Sequence, residues 1–125
     1  MRSKLLLVLV ALVALGGIAA PSSARQGRAD TKVTIRVEGR DFSGTVQSPR
    51  GSCVNGRKIR LIRQVGSQQN PSTDPVIASD TADSDGDWST GNTGVNGRFY
   101  ARAKKNDQCK ADSSRTLRTE SDLTS

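Results

Sequence analysis

Apolar and polar residues alternate with a period of two along several short stretches of this chain. Successive side chains of a β-strand point to opposite faces, so this alternation predicts strands with one buried side and one solvent-facing side. The most regular run covers residues 97–104, and its predicted inward residues are Phe99, Ala101 and Ala103. No window after the N-terminal segment combines helical spacing with helix caps. The pattern therefore predicts an all-β protein.

Turn residues separate the alternating runs at intervals of about 8 to 12 residues, a spacing typical of a β-sandwich. We expect seven antiparallel strands in two sheets with Greek-key connections. The predicted strands cover residues 32–37, 42–48, 58–65, 76–82, 86–90, 97–104 and 113–119.

Three details of the pattern qualify this prediction. In the third strand Ile59 and Leu61 face inward, whereas Ile62 breaks the alternation and is expected to cover a sheet edge. Residues 66–75 carry no period and many turn residues, which predicts a structureless, mobile loop. The fourth strand, 76–82, is expected to lie at the edge of a sheet.

The first 24 residues have the order of a secretory signal peptide. Arg2 and Lys4 precede an uninterrupted apolar run, and small residues follow up to Ala24. The apolar run is short for a permanent membrane span, so we expect cleavage near Ala24 and an exported protein without a membrane anchor. An uncleaved N-terminal anchor is the alternative.

Cleavage would leave a chain of one domain with a net charge of +5. We expect a monomer with a flexible tail at residues 25–31, a β-sandwich domain at 32–119 and a frayed tail at 120–125.

The chain has two cysteines, Cys53 and Cys109. In an exported protein they are expected to form a disulfide, because thiols oxidise outside the cell. The alternative is a zinc or redox pair, but the chain has no His and no Cys-x-x-Cys. Cys53 lies between the second and third predicted strands and Cys109 between the sixth and seventh. Greek-key sandwiches bring those two loops to one end.

The run from Thr81 to Trp88, TADSDGDW, resembles the T-x-D-x-D-G-x-[FWY] turn of carboxypeptidase-regulatory-like domains. The pattern from Thr31 to Thr119 is also similar to that of small secreted bacterial domains of unassigned activity. The resemblance implies a transthyretin-like (prealbumin-type) or immunoglobulin-like sandwich in which Gly86 has positive φ and Trp88 enters the core. Enzymes of the transthyretin-like group use His residues, which this chain lacks, so their activity is not implied.

The acidic turn has two interpretations. Asp83, Asp85 and Asp87 could bind Ca²⁺, since clustered carboxylates are the hard oxygen ligands that this ion prefers. Asx-turn hydrogen bonds explain the same residues without an ion. We favour the structural turn and expect no cofactor, with calcium as the alternative.

Two aromatic residues could stack on a sugar ring. Trp88 is expected to fill the core instead. Tyr100 is expected to be exposed, because the parity of its strand turns it outward.

Basic residues form the remaining signal. If the third, sixth and seventh strands share a sheet, their outward cations surround Tyr100 on one surface, which would attract anionic polymers. Alternatively, these cations only keep the sheet soluble. The predicted anion-binding face comprises Lys58, Arg60, Tyr100, Arg102 and Lys104, with Arg115 and Arg118 as further candidates.

Catalytic chemistry has few candidates in this sequence, since it lacks His and a free thiol and no Ser has a recognisable base. The leading hypothesis is therefore a secreted, non-catalytic binding module for an anionic polymer or an acidic protein surface. A Ca²⁺-stabilised adhesion or structural domain is the second hypothesis, and a hydrolase the third.

Overall fold

The computed structural model describes residues 27–119. Within them every regular element is a β-strand except one 3₁₀ turn at Gly51–Cys53, so the prediction of an all-β protein is confirmed. The strands are β1 (Lys32–Val33), β2 (Arg36–Glu38), β3 (Asp41–Gln47), β4 (Lys58–Arg63), β5 (Val76–Thr81), β6 (Asp87–Asn92), β7 (Arg98–Ala103), β8 (Asp112–Ser113) and β9 (Leu117–Arg118).

The strands form two antiparallel sheets. In the first sheet β3 is central, with β1 and β2 along one side and β6 along the other. In the second sheet β5, β4 and β7 follow one another, and β8 and β9 both pair with the far side of β7. The prediction that β5 lies at an edge is confirmed, and β4, β7 and the last strands share a sheet as expected.

Apolar residues of both sheets form one core. Phe42 of the first sheet meets Phe99 of the second, with ring centroids 4.8 Å apart. The residues predicted inward on β4 and β7 are all fully buried. The main members of the core are Val33, Ile35, Phe42, Val46, Ile59, Leu61, Trp88, Phe99, Ala101 and Ala103.

The first predicted strand, 32–37, is interrupted in the structure. At the break the Thr45 N–H donates to the Thr34 hydroxyl (3.0 Å), so a side-chain oxygen replaces a backbone acceptor in the ladder. The Cβ of any larger residue at Gly44 would collide with the Thr34 carbonyl and lie 2.8 Å from Cζ2 of Trp88. Close approach of the backbone and the Trp88 ring therefore requires glycine here.

The last predicted strand, 113–119, is interrupted for a similar reason. The Ala101 N–H donates to the Ser114 hydroxyl (2.9 Å), and the same hydroxyl donates to the Arg115 carbonyl (2.8 Å). The serine side chain thus enters the ladder between β8 and β9, so both split strands result from short hydroxyl side chains.

The disulfide prediction is confirmed: Cys53 and Cys109 are bonded, with Cα atoms 5.6 Å apart. Ala29, in the stretch expected to be a flexible tail, forms two backbone hydrogen bonds (2.8 Å each) with Gln108 and Lys110 on either side of Cys109. The loops at this end of the molecule and the start of the described chain therefore meet at the disulfide.

Arg57 organises the same end from inside. Its side chain is 5% exposed, and its guanidinium donates to the carbonyls of Cys53 (3.1 Å), Lys104 (2.9 Å) and Lys110 (2.8 Å). Burial lowers the pKa of Arg57 from its ordinary value, but a guanidinium remains charged inside proteins. One buried cation thus connects three backbone segments, and the sequence pattern does not reveal it.

The predicted signal peptide and the predicted frayed tail at 120–125 lie outside the described residues. Within residues 27–119 there is no helix with the length and apolar character needed to cross a membrane.

Candidate anion-binding face

The outer surface of the second sheet brings together four of the predicted cations. Arg60 on β4 lies directly opposite Arg102 on β7 in the strand register. Lys58 lies two residues before Arg60 on β4, so it projects from the same face in the next row. Lys104 follows the end of β7 and lies beside Arg60 and Arg102. The structure therefore brings these basic residues together on one surface.

A shallow pocket of about 680 Å³ opens on this face. Its lining includes three of these cations, Arg60, Arg102 and Lys104, but not Lys58. It also includes Lys105, which was not predicted from the sequence. Lys105 follows the end of β7, where alternation no longer predicts direction. The lining residues are Arg60, Ile62, Pro71, Ser72, Val76, Arg102, Lys104, Lys105 and Ala111, and none of them is acidic.

The charges of this pocket are not neutralised by ion pairs within the described chain. The salt bridge present in residues 27–119 joins Lys110 to Asp30 (2.9 Å), and neither residue lines the pocket. Arg102 Nη1 donates to the Ser113 hydroxyl of β8 (2.8 Å), which fixes the direction of its guanidinium. Like charges opposite each other on neighbouring strands are destabilising, so the Arg60 and Arg102 pair disfavours the isolated fold.

The expectation that Tyr100 is exposed is wrong. Its side chain does leave the core side of β7, as parity predicts, but it is 0% exposed. The loop at residues 66–75 covers it, and its hydroxyl donates to the Asp74 carboxylate (2.7 Å). The ring of Tyr100 is therefore inaccessible to a ligand, and Tyr100 is not one of the residues that could form the anion-binding face.

The covering loop is ordered rather than structureless. The Asp74 carboxylate also accepts from the backbone N–H of Asn70 (2.9 Å), and Gln69 Nε2 donates to the Ser114 carbonyl (2.8 Å) and the Thr116 hydroxyl (2.9 Å). These bonds hold Pro71 and Ser72 beside the cations as one wall of the pocket. Nothing in the local sequence period signals this packing, because the loop's partners lie on distant strands.

The hydrogen bond between Tyr100 and Asp74 affects the titration of both groups. The Tyr100 hydroxyl, together with the Asn70 N–H, holds the pKa of the Asp74 carboxyl below its ordinary value. Burial raises the pKa of Tyr100 well above its ordinary value, and the bond to Asp74 raises it further. The pair is therefore a charged acceptor and a neutral donor over the physiological pH range.

Ile62 is also placed differently from the expectation. It lies opposite Tyr100 on the inner strand β4, and it is 2% exposed rather than covering a sheet edge. A register shift between Leu61 and Ile62 lets it pair with Val76 on its other side. The second sheet thus has a small apolar cluster on its outer face, which accounts for the break in alternation.

The two further basic candidates lie away from the pocket. Arg118 pairs with Arg98 across β9 and β7, at the opposite end of β7 from Lys104. Arg115 is exposed in the connection between β8 and β9 and does not line the pocket. The cations of this face therefore divide into a clustered group around Arg60 and a separate group around Arg98.

The acidic turn has the geometry of an Asx turn. Asp83 Oδ1 accepts from the backbone N–H of Asp85 (2.9 Å) and of Asp87 (3.0 Å), and Gly86 has φ of 85°. One carboxylate oxygen from each aspartate lies within 4.8 Å of the others, and all three residues are exposed. The residues fit a structural turn, and their oxygens are close enough to serve as ligands of one hard cation.

Trp88 fills the core, as predicted, and is 2% exposed. Its Nε1 has no hydrogen-bond partner among the described residues. It borders a second pocket of about 590 Å³ that is also lined by Asp80, Asp83 and Asp87. The Asp80 carboxylate accepts a hydrogen bond from the Ser89 N–H (2.8 Å), and Asp83 accepts one from the Asp85 N–H. Two of the three carboxylates in this pocket therefore already bond to the backbone.

Comparison of the chain with protein-family models, curated proteins and solved structures found no match.

Proposed function

We propose that this protein is a secreted, non-catalytic binding module whose second sheet binds anionic polymers or surfaces. The domain is proposed to be a seven-stranded Greek-key sandwich, with β1 and β2 forming one interrupted strand and β8 and β9 another. Its relation to carboxypeptidase-regulatory-like and transthyretin-like domains is part of the proposal and rests on the turn from Thr81 to Trp88.

The observation that carries the proposal is the position of Arg60 opposite Arg102, beside Lys104 and Lys105, in a pocket without a carboxylate. Two like charges directly opposite each other on paired strands lower the stability of the fold. An anionic ligand would relieve that repulsion, and two guanidinium groups can each bind a phosphate, sulfate or carboxylate through paired N–H donors. Lys58, in the row beyond Arg60, would extend the contact along a polymer.

The proposal is tested by retention on heparin-type and phosphate-type columns in a salt gradient. Replacing Arg60 and Arg102 with Gln removes two charges from the face, and we expect elution at lower salt because fewer counterions are exchanged on binding. The matched control replaces Arg36 on β2 and Arg40 in the turn after it, both exposed, with Gln. Equal loss of retention in both double variants would mean that net charge alone is responsible and would reject a dedicated face.

The alternatives have weaker support. A hydrolytic site would have to use the pocket beside Trp88, where Asp80 and Asp83 already accept backbone hydrogen bonds. A calcium-stabilised module is favoured by the proximity of the Asp83, Asp85 and Asp87 oxygens alone. Asx-turn bonding explains the same turn without an ion.

A further inference from the structure

The pocket on the second sheet has an apolar side as well as a cationic side. Its apolar lining consists of Ile62, Pro71, Val76 and Ala111. Val76 is 50% exposed, and with Val65 it is one of the two large hydrophobic residues that the described chain leaves in solvent. A purely electrostatic contact with a polymer would not use these groups.

The apolar side is preorganised. Val76 is fixed opposite Ile62 in the register of β5 and β4, and the turn at Asn70 is closed by the Asp74 carboxylate. Because Tyr100 holds Asp74, Pro71 is kept against the sheet. A ligand entering this pocket would pay little ordering entropy on the protein side.

We propose that the pocket binds a single anionic amphiphile: an oxyanion head, such as a phosphate monoester, at Arg60 and Arg102, and an aliphatic chain against Val76, Pro71 and Ala111. The volume of about 680 Å³ is within the range of small-molecule sites. This inference rests on the proposed function, because it uses the same two arginines, and it specifies the ligand class.

An acidic peptide fits the lining less well. The side chains of Arg60, Arg102, Lys104 and Lys105 are donors without an acceptor, so the hydroxyl of Ser72 is the only lining side-chain group able to accept from a peptide N–H. An alkyl phosphate has no donor that must be satisfied once it is ionised. The four cationic side chains therefore favour an amphiphile with acceptor oxygens over a ligand that also carries amide donors.

The test is calorimetric titration of the purified protein with octyl phosphate, below the concentration at which it aggregates, and with inorganic phosphate. We expect octyl phosphate to bind at least about tenfold more tightly, since burying roughly two methylene groups is enough for that gain. Octyltrimethylammonium, with the same chain and the opposite charge, should not bind.

Val76→Thr is the specific variant, because it keeps the β-branched shape of the side chain and removes apolar surface. It should reduce the advantage of octyl phosphate, because a hydroxyl replaces one methyl group of the apolar side, and leave inorganic phosphate binding unchanged. Val65→Thr, the matched control at the other exposed valine, should change neither affinity. Replacing Arg60 and Arg102 with Gln should weaken both ligands.

Three results would overturn the inference: equal affinity for octyl phosphate and inorganic phosphate, equal binding of octyltrimethylammonium, or tighter binding of a leucine-containing glutamate peptide that is lost in Val76→Thr. The proposed function would survive the first of these if column retention still depended on Arg60 and Arg102. If column retention did not depend on Arg60 and Arg102 either, both the inference and the proposed function would be rejected.

Discussion

Tyr100 shows where alternation stops being informative. Parity correctly predicts that it leaves the core side of β7, but parity says nothing about what covers the other side of the sheet. Asp74, its partner, lies 26 residues earlier in a stretch with no period of its own. The pairing of a buried hydroxyl with a loop carboxylate depends on tertiary structure, so the sequence alone could not identify it.

At this site we predict a pH-dependent effect of Tyr100→Phe. At pH 7 the variant should lose roughly 1–3 kcal/mol of unfolding free energy, because Asp74 loses a buried donor. The folded-state pKa of Asp74 is lowered, so its contribution to stability is complete above the ordinary carboxyl pKa of about 3.9 and is lost as pH falls through the folded value. The difference between the two proteins should therefore shrink at low pH.

Urea unfolding of both proteins at pH 7 and near pH 3 measures this effect. Ser72→Ala is the control, since its hydroxyl donates only to the exposed Asn70 side chain (2.8 Å) and should give a small, pH-independent change. An equally large effect of Tyr100→Phe at both pH values would contradict the assigned role of Asp74.

At the scale of the element, the strands on the core side follow directly from the sequence. Ile59 and Leu61 on β4 and Phe99 on β7 are buried where period-two alternation places them. The interruptions at Thr34 and Ser114 could not be predicted in the same way. A hydroxyl enters the ladder only when a neighbouring strand brings a backbone N–H within reach, as Thr45 and Ala101 do.

The first sheet yields a prediction at Gly44. Gly44→Ala would place a methyl group against the Thr34 carbonyl and the Trp88 ring, and this overpacking should cost about 1–3 kcal/mol of unfolding free energy. Thermal or urea unfolding measures the loss. Gly66→Ala is the matched control, because a Cβ there meets nothing within 4 Å, and it should leave stability nearly unchanged. Equal stability of the two variants would mean that the sheet relaxes around Gly44.

The acidic turn gives a second prediction at this scale. Because Asp83 satisfies the backbone of the turn without an ion, we expect the thermal midpoint to be the same in calcium and in chelator. Asp83→Ala should lower the midpoint in both conditions, while Asp85→Asn should not, since the Asp83 side chain accepts the N–H groups of Asp85 and Asp87. A midpoint that rises with calcium in the parent and not in Asp85→Asn would instead establish an ion site.

At the scale of the whole molecule, the disulfide was the most predictable long-range contact. A chain with two cysteines has one possible pairing, and strand order predicts that their loops meet. The buried Arg57 beside them was not predictable, because nothing in the strand pattern distinguishes it from the exposed Lys58 that follows.

Removing the disulfide tests how far this end of the molecule depends on it. Replacing Cys53 and Cys109 with Ala should reduce the free energy of unfolding by about 4 kcal/mol in the chain-entropy model, given the separation of 56 residues. The Arg57 bonds and the Ala29 pairing remain in the variant, so we expect a folded but less stable protein. Urea unfolding of oxidised parent and variant measures the difference, and equal stability would contradict the chain-entropy account of this bond.

The facing arginines of the second sheet give salt two opposite effects on this molecule. Screening reduces the repulsion between Arg60 and Arg102, so added salt should favour the ligand-free fold. The same screening weakens their attraction for an anion. Under the proposed function, added salt would therefore stabilise the empty protein and weaken anion binding, so a rise in ionic strength would release the ligand.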